Sequence, residues 1–115
     1  MISLDRLASA IDQAFASPEF GSAAWLTFYL MGDEADLRAL ASRLSELGAE
    51  NLDGAEGGFV YAKLPVEVDA RNVQAAADQI GGLAEEHNVV VDHIDLDSSA
   101  DVTASKFFCV SGTHR

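Results

Sequence analysis

The sequence predicts an α+β domain: a four-stranded antiparallel sheet with two helices on one face, preceded by one further helix. Three observations lead there. Short runs rich in aromatic and β-branched residues alternate with longer runs whose apolar residues recur every three or four positions. Their order is helix, then strand, helix, strand, strand, helix, strand. Within that order one unit appears twice: a strand, an acidic cap, an amphipathic helix and a strand.

The first helix is expected over about residues 3–16. Leu4, Leu7, Ala8, Ile11, Ala14 and Phe15 recur at helical spacing. Ser3 suits the N-cap, and "SPEFG" stops the run. "AWLTFYLM" is too short for a typical helix and rich in aromatics, so it reads as a strand. Its alternation puts Leu26, Phe28 and Leu30 on one face and Trp25, Thr27 and Tyr29 on the other.

"GDEADLRALASRLSELG" is the second helix. Asp33 caps it, acids fill its first turn, Gly48 suits the position after its end, and Leu37, Leu40, Leu44 and Leu47 form its stripe. "AENLDGAEGGFVYAKLPV" reads as a hairpin turning near Asp53 to Gly58. Its return strand divides Val60, Ala62 and Leu64 from Phe59, Tyr61 and Lys63. Pro65 discourages central pairing beyond it.

"DARNVQAAADQIGGLAEEHN" is the third helix, capped by Asp69 and closed by Asn88 in the left-handed region. Its stripe is Val73, Ala76, Ala77, Ile80, Leu83 and Ala84. Gly81 and Gly82 each cost about 1 kcal/mol against alanine in a helix interior, which close packing on the sheet would explain. "VVVDHIDL" is the last strand of the unit, with Val90, Ile94 and Leu96 facing the core. This is the split β-α-β, ferredoxin-like pattern, with a core over about residues 24–97. The extension 98–115 exceeds it, and "KFFCV" within it reads as an extra edge strand or a flap.

Charge bounds the function. Nineteen acids against seven bases give a formal net charge of −12 over 115 residues. A surface of that sign repels phosphates, so direct nucleic-acid binding loses its usual electrostatic gain. It favours a cationic partner, such as a basic protein segment. From Ala84 to Asp101 the chain carries acids but no lysine or arginine. No stretch approaches the roughly 18 apolar residues that span a bilayer. Asp5 and Arg6 interrupt the start where a secretory leader would be apolar. The expectation is therefore a cytoplasmic protein without a membrane partner. The single cysteine, Cys109, has no disulfide partner in the chain and lies among apolar neighbours, as an inert small hydrophobe does.

Alternation makes His93, Asp95 and Asp97 project together. Imidazole and carboxylate are ordinary ligands for a divalent cation, but no second ligand cluster joins them, so the row reads as a charged, solvated strand end that resists edge pairing. No nucleophile motif occurs, and "DGAEGG" lacks the lysine and following helix of a phosphate loop. Neither a catalytic residue nor a cofactor is expected. The other candidate surface is the sheet face opposite the helices, where Trp25, Thr27, Tyr29, Phe59, Tyr61 and Lys63 are expected to form an aromatic patch on two central strands. An apolar patch of that kind is uncommon on a monomer. The first helix, the "FFCV" tail or a second subunit is expected to cover it.

The run "WLTFYLMGDEADLRALASRLSELGAEN" and the returning "FVYAKLPVEVDARNVQAAADQIGGLAEEHNVVVDHIDL" resemble the regulator of ribonuclease activity B family over roughly Trp25 to Leu96. The likeness rests on element order, the aromatic first strand, the "LG" helix end and the "LAEEH" approach to the last strand. The family pattern closes with Gly-Gly, an acidic residue and Tyr-Asp-Gly-Trp. Here Asp92 matches the family aspartate, His93 stands for the glycine and Ile94 for the tryptophan. The resemblance implies a non-catalytic protein that binds the endoribonuclease RNase E and lowers its activity. Contact candidates are then Glu85, Glu86, Asp92, His93, Asp95 and Asp97, together with the aromatics Trp25, Tyr29 and Tyr61. Two alternatives stand beside it: a small-molecule or metal-binding domain built on the His93 strand, and a homodimer joined through the aromatic faces.

Overall fold

A computed structural model of the chain describes residues 4–16, 23–50, 52, 54–98 and 107–112. The elements are α1 (Leu4–Ala16), β1 (Ala23–Met31), α2 (Glu34–Glu46), a 3₁₀ turn (Ala55–Gly57), β2 (Phe59–Glu67), α3 (Ala70–Glu86), β3 (Val90–Asp97) and β4 (Phe107–Gly112). The fold is α+β, with one four-stranded antiparallel sheet and three helices. No helix among the described residues is long and apolar enough to cross a membrane.

Local chemistry sets the helix ends. The Asp69 carboxylate accepts from the backbone N–H of Arg71 at 2.8 Å and of Asn72 at 3.1 Å, satisfying two donors that the first turn of α3 leaves open. Asp33 occupies the same position before α2, yet its side chain makes no capping bond. Gly48 follows the C-cap Leu47 with φ +92°, and Asn88 follows α3 with φ +57°, both in the left-handed region that ends helices. The Ser3 cap and the "SPEFG" stop lie outside the described residues.

The strands run in the order β2-β1-β3-β4. Leu26, Phe28 and Leu30 of β1, Val60, Ala62 and Leu64 of β2, and Ile94 and Leu96 of β3 are buried on one face. They join Leu37, Leu40 and Leu44 of α2, Val73, Ala77, Ile80 and Ala84 of α3, and Leu7, Ala10, Ile11 and Ala14 of α1 in one hydrophobic core. Full burial of each large side chain contributes about 1.5–3 kcal/mol relative to exposure. α3 packs on β2 and β3, α2 on β2 and the 3₁₀ turn, and α1 on β4 and α3.

Several expectations change. Among the described residues the leading arm of the hairpin contributes only a bridge, Glu50 to Lys63, with N to O distances of 2.8 and 3.0 Å. The fourth strand of the sheet is instead "FFCVSG", which pairs with β3 as an edge. β2 therefore lies at the other edge, not in the centre, and Pro65 is accommodated within it, opposite Trp25. Leu47 is exposed because the α2 stripe ends at Leu44, and in α1 Ala10 is buried while Ala8 is exposed. Gly81 and Gly82 are not closely packed: a Cβ at either position meets nothing within 4 Å. Val90 is 64% exposed and does not face the core. A bulge sets Leu30 opposite Val91 and leaves Asp92 as the extra residue, so the alternation of β3 reverses there.

Candidate functional site

The sheet face opposite Leu26, Phe28 and Leu30 holds most of the candidate residues. Register builds it in three cross-strand rows. Thr27 lies between Lys63 and Asp95, Tyr29 between Tyr61 and His93, and Met31 between Phe59 and Val90. Beside Thr27, Trp25 lies between Pro65 and Asp97 and is half-buried.

The polar part is buried. Lys63 and Asp95 are 0% exposed and Asp97 is 2% exposed. The Lys63 ammonium donates to Asp97 Oδ2 at 2.5 Å and to Thr27 Oγ1 at 2.9 Å. The Thr27 hydroxyl in turn donates to Asp97. Three side chains from β1, β2 and β3 thus close a ring of charge-assisted bonds. The Tyr29 phenol hydrogen-bonds to Asp95; burial pushes its pKa well above the ordinary phenol value, and the Asp95 and Asp97 charges push it further. A neutral phenol is what a carboxylate acceptor needs.

The aromatic part grows from Tyr29. Its ring stacks on His93 with centroids 3.7 Å apart and planes at 21°. It meets Tyr61 edge-to-face at 4.6 Å, and Tyr61 meets Phe59 edge-to-face at 4.5 Å. Such pairs contribute about 0.5–1.5 kcal/mol each beyond their area. His93 Nδ1 lies 2.8 Å from Asp92 Oδ2; a carboxylate only accepts, so the ring N–H donates there. Tyr61 is 41% exposed, and Met31 and Val90 at the next row are exposed too.

The row His93, Asp95, Asp97 projects from one face, as alternation requires, but it is not a solvated strand end. As they stand, Asp95 and Asp97 are buried beneath the surface and cannot reach a docked partner. Asp97 is paired with the Lys63 ammonium. Among the described residues, no group of three or more His, Cys, Asp and Glu side chains is placed to hold a metal ion. Thr27 and Lys63 have the composition of a hydroxyl nucleophile with its base. Here the ammonium donates to the hydroxyl and so has no lone pair to accept its proton, and both side chains are 0% exposed.

Tyr29, Tyr61 and His93 are brought together with Asp92, while Trp25 sits farther along the face. Glu85 and Glu86 lie apart, exposed at the end of α3, with Glu86 4.0 Å from Arg43. Among the described residues α1 packs on β4 and α3, and β4 extends the sheet beyond β3. Cys109 of β4 is half-buried and accepts from Arg6 Nη2 of α1 at 2.8 Å, beside a cleft of about 410 Å³. Sequence reasoning missed Lys63 as the cation that neutralises the face, and Met31 and Val90 as parts of its exposed edge. The available signal was a lysine alternating with aromatics in one strand and aspartates at the same alternation in another. No family model, curated protein or solved structure matches the chain.

Proposed function

We propose that this chain is a non-catalytic regulatory module that binds a basic protein segment, of the kind an RNase E-like endoribonuclease would carry, in the cytoplasm. The observation that carries this reading is the sign of the surface. Among the described residues, twelve carboxylates are exposed against four arginines. Two of those arginines are already close to acids: Arg38 is 2.8 Å from Glu34 and 3.9 Å from Glu56, and Arg43 is 4.0 Å from Glu86. The one described lysine is buried against Asp97. The described surface therefore keeps the acidic sign of the whole chain, and such a field speeds encounter with a cationic segment and disfavours nucleic acid.

The scaffold for this role is ferredoxin-like in our reading. The central order β3-β1-β2, with Glu50 bridged to the outer side of β2, matches that arrangement with its second strand reduced to one bridge and β4 added at the far edge. The test is titration of the protein with a purified arginine-rich ribonuclease segment at low and high salt, alongside a cleavage assay. Tight binding at low salt, steep weakening at high salt and reduced RNA cleavage are expected. Failure to bind at low salt would refute the reading.

A further inference from the structure

Resting on that reading, we propose that exposed Met31, Tyr61 and Val90 with half-buried Phe59 form the docking platform, and that it takes arginine side chains of an extended cationic segment. Three of the four exposed large apolar residues among those described, Met31, Tyr61 and Val90, lie on this one end of the sheet face. The register makes them contiguous: Met31 lies opposite Phe59 on one side and Val90 on the other, and Tyr61 packs on Phe59. Contiguous apolar surface of this kind marks interaction sites.

The platform is held rigid from below. Tyr29 is fixed by its hydrogen bond to Asp95 and its stack on His93, and it supports Tyr61 edge-on. A pre-organised aromatic loses little entropy when it binds.

Charge decides the occupant. The same end of the sheet carries Asp33, Glu34 and Glu56, all exposed and within three residues of Met31 or Phe59, against the single Arg38. The loops that bear them are tied by Gly32 N–H to Gly58 O at 3.2 Å. Arg38 pairs with Glu34 and Glu56, yet this end of the sheet keeps more acids than bases; exposed aromatic rings in an acidic surround suit a guanidinium, which stacks on a ring face. A second copy of the chain fits worse. A two-fold contact through this patch would set those acids against themselves, on molecules that each carry −12.

The test uses the full chain and two labelled dodecapeptides of equal charge, one with arginine and one with lysine as its only cation. Wild type, Tyr61→Ala and Tyr61→Phe are titrated, with Glu85→Gln/Glu86→Gln as a change distant from the platform. Tyr61→Ala should raise the Kd for the arginine peptide about fivefold, the size of one exposed cation–π contact. Tyr61→Phe should restore it, and the lysine peptide should change less than about twofold. The distant double change should weaken both peptides alike. An unaltered arginine-peptide Kd in Tyr61→Ala, with measurable binding, would overturn the platform and leave the acidic module standing. So would a dimer in sedimentation velocity that Tyr61→Ala abolishes. Absence of binding to either peptide at low salt would instead overturn the parent reading as well. Matching far-UV spectra and melting curves for all variants exclude unfolding as the cause.

Discussion

Replacing Lys63 by methionine is the sharpest perturbation of this fold. Methionine keeps the length and much of the volume but deletes the ammonium. Asp97, 2% exposed, then keeps only the Thr27 hydroxyl from the ring, with the Asp95 carboxylate two residues away on the same face. Removing one partner of a buried ion pair costs about 3–5 kcal/mol, because the remaining charge is left uncompensated. That is a large part of the roughly 5–15 kcal/mol that holds a domain folded. At about 4 °C per kcal/mol for a chain of this size, Tm should fall by about 12–20 °C. Urea unfolding can be followed by Trp25, the only tryptophan, which lies opposite Asp97 in the sheet. For an m-value of about 2 kcal/mol/M the midpoint should drop by about 2 M. Lys63→Met/Asp97→Leu is the companion variant. An apolar pair of similar volume often matches or exceeds a buried ion pair in stability, so the double variant should recover most of the loss, short of about 1 kcal/mol for the Thr27 hydroxyl left without partners. A loss below about 1 kcal/mol in Lys63→Met, or a double variant no better than the single one, would refute the buried-ring account.

The Tyr29 phenol should titrate late: in a Tyr61→Phe chain, where it is the only tyrosine, its midpoint at 295 nm should lie well above the ordinary phenol value. A folded-state pKa raised above the unfolded one contributes stability that is complete below about pH 10 and lost as pH rises further; alkaline unfolding should therefore be less steep with pH in Tyr29→Phe. Gly82→Ala should stabilise by about 0.5–1 kcal/mol in thermal unfolding, since the position is helical, exposed and open to a Cβ. Asp69→Ala should cost about 1 kcal/mol in urea unfolding and Asp33→Ala only a few tenths, because only Asp69 makes capping bonds.

Period-2 alternation was enough to divide β1 and β2 into their faces, because one face of the sheet lies on helices and a one-residue slip would expose Leu26, Phe28 and Leu30. The α2 and α3 stripes were legible for the same reason at helical period. Val90 was not, because a bulge is one extra residue that no composition marks. The hairpin arm and β4 exchanged roles. "AENLDG" offers only Leu52 as a large apolar residue, whereas "FFCV" offers Phe108 and Val110 to the core, so the sheet extended past β3 and not past β2. The burial of Lys63 was hidden by its sequence distance: 34 residues separate it from Asp97, and 70 separate Thr27 from Asp97. Once β1 is placed between β2 and β3, the register brings Thr27 between Lys63 and Asp95.

The buried ring also alters where binding energy can come from. If Asp95 and Asp97 met the partner directly, affinity would depend on salt bridges at one strand. With both internal, the acids that remain outside are dispersed over helices and turns, where single ion pairs contribute about 0–1 kcal/mol and are screened by salt. Dispersed charge sets the approach more than the grip. In the proposed docking mode, short-range contact on the Tyr61–Met31–Val90 surface would set how long the segment stays. The two contributions should separate in a stopped-flow or surface-binding measurement: added salt should lower the association rate, and Tyr61→Ala should raise the dissociation rate with little change in association. Were Tyr61→Ala to act on association alone, the aromatic patch would be a bystander and the acids would carry the binding by themselves.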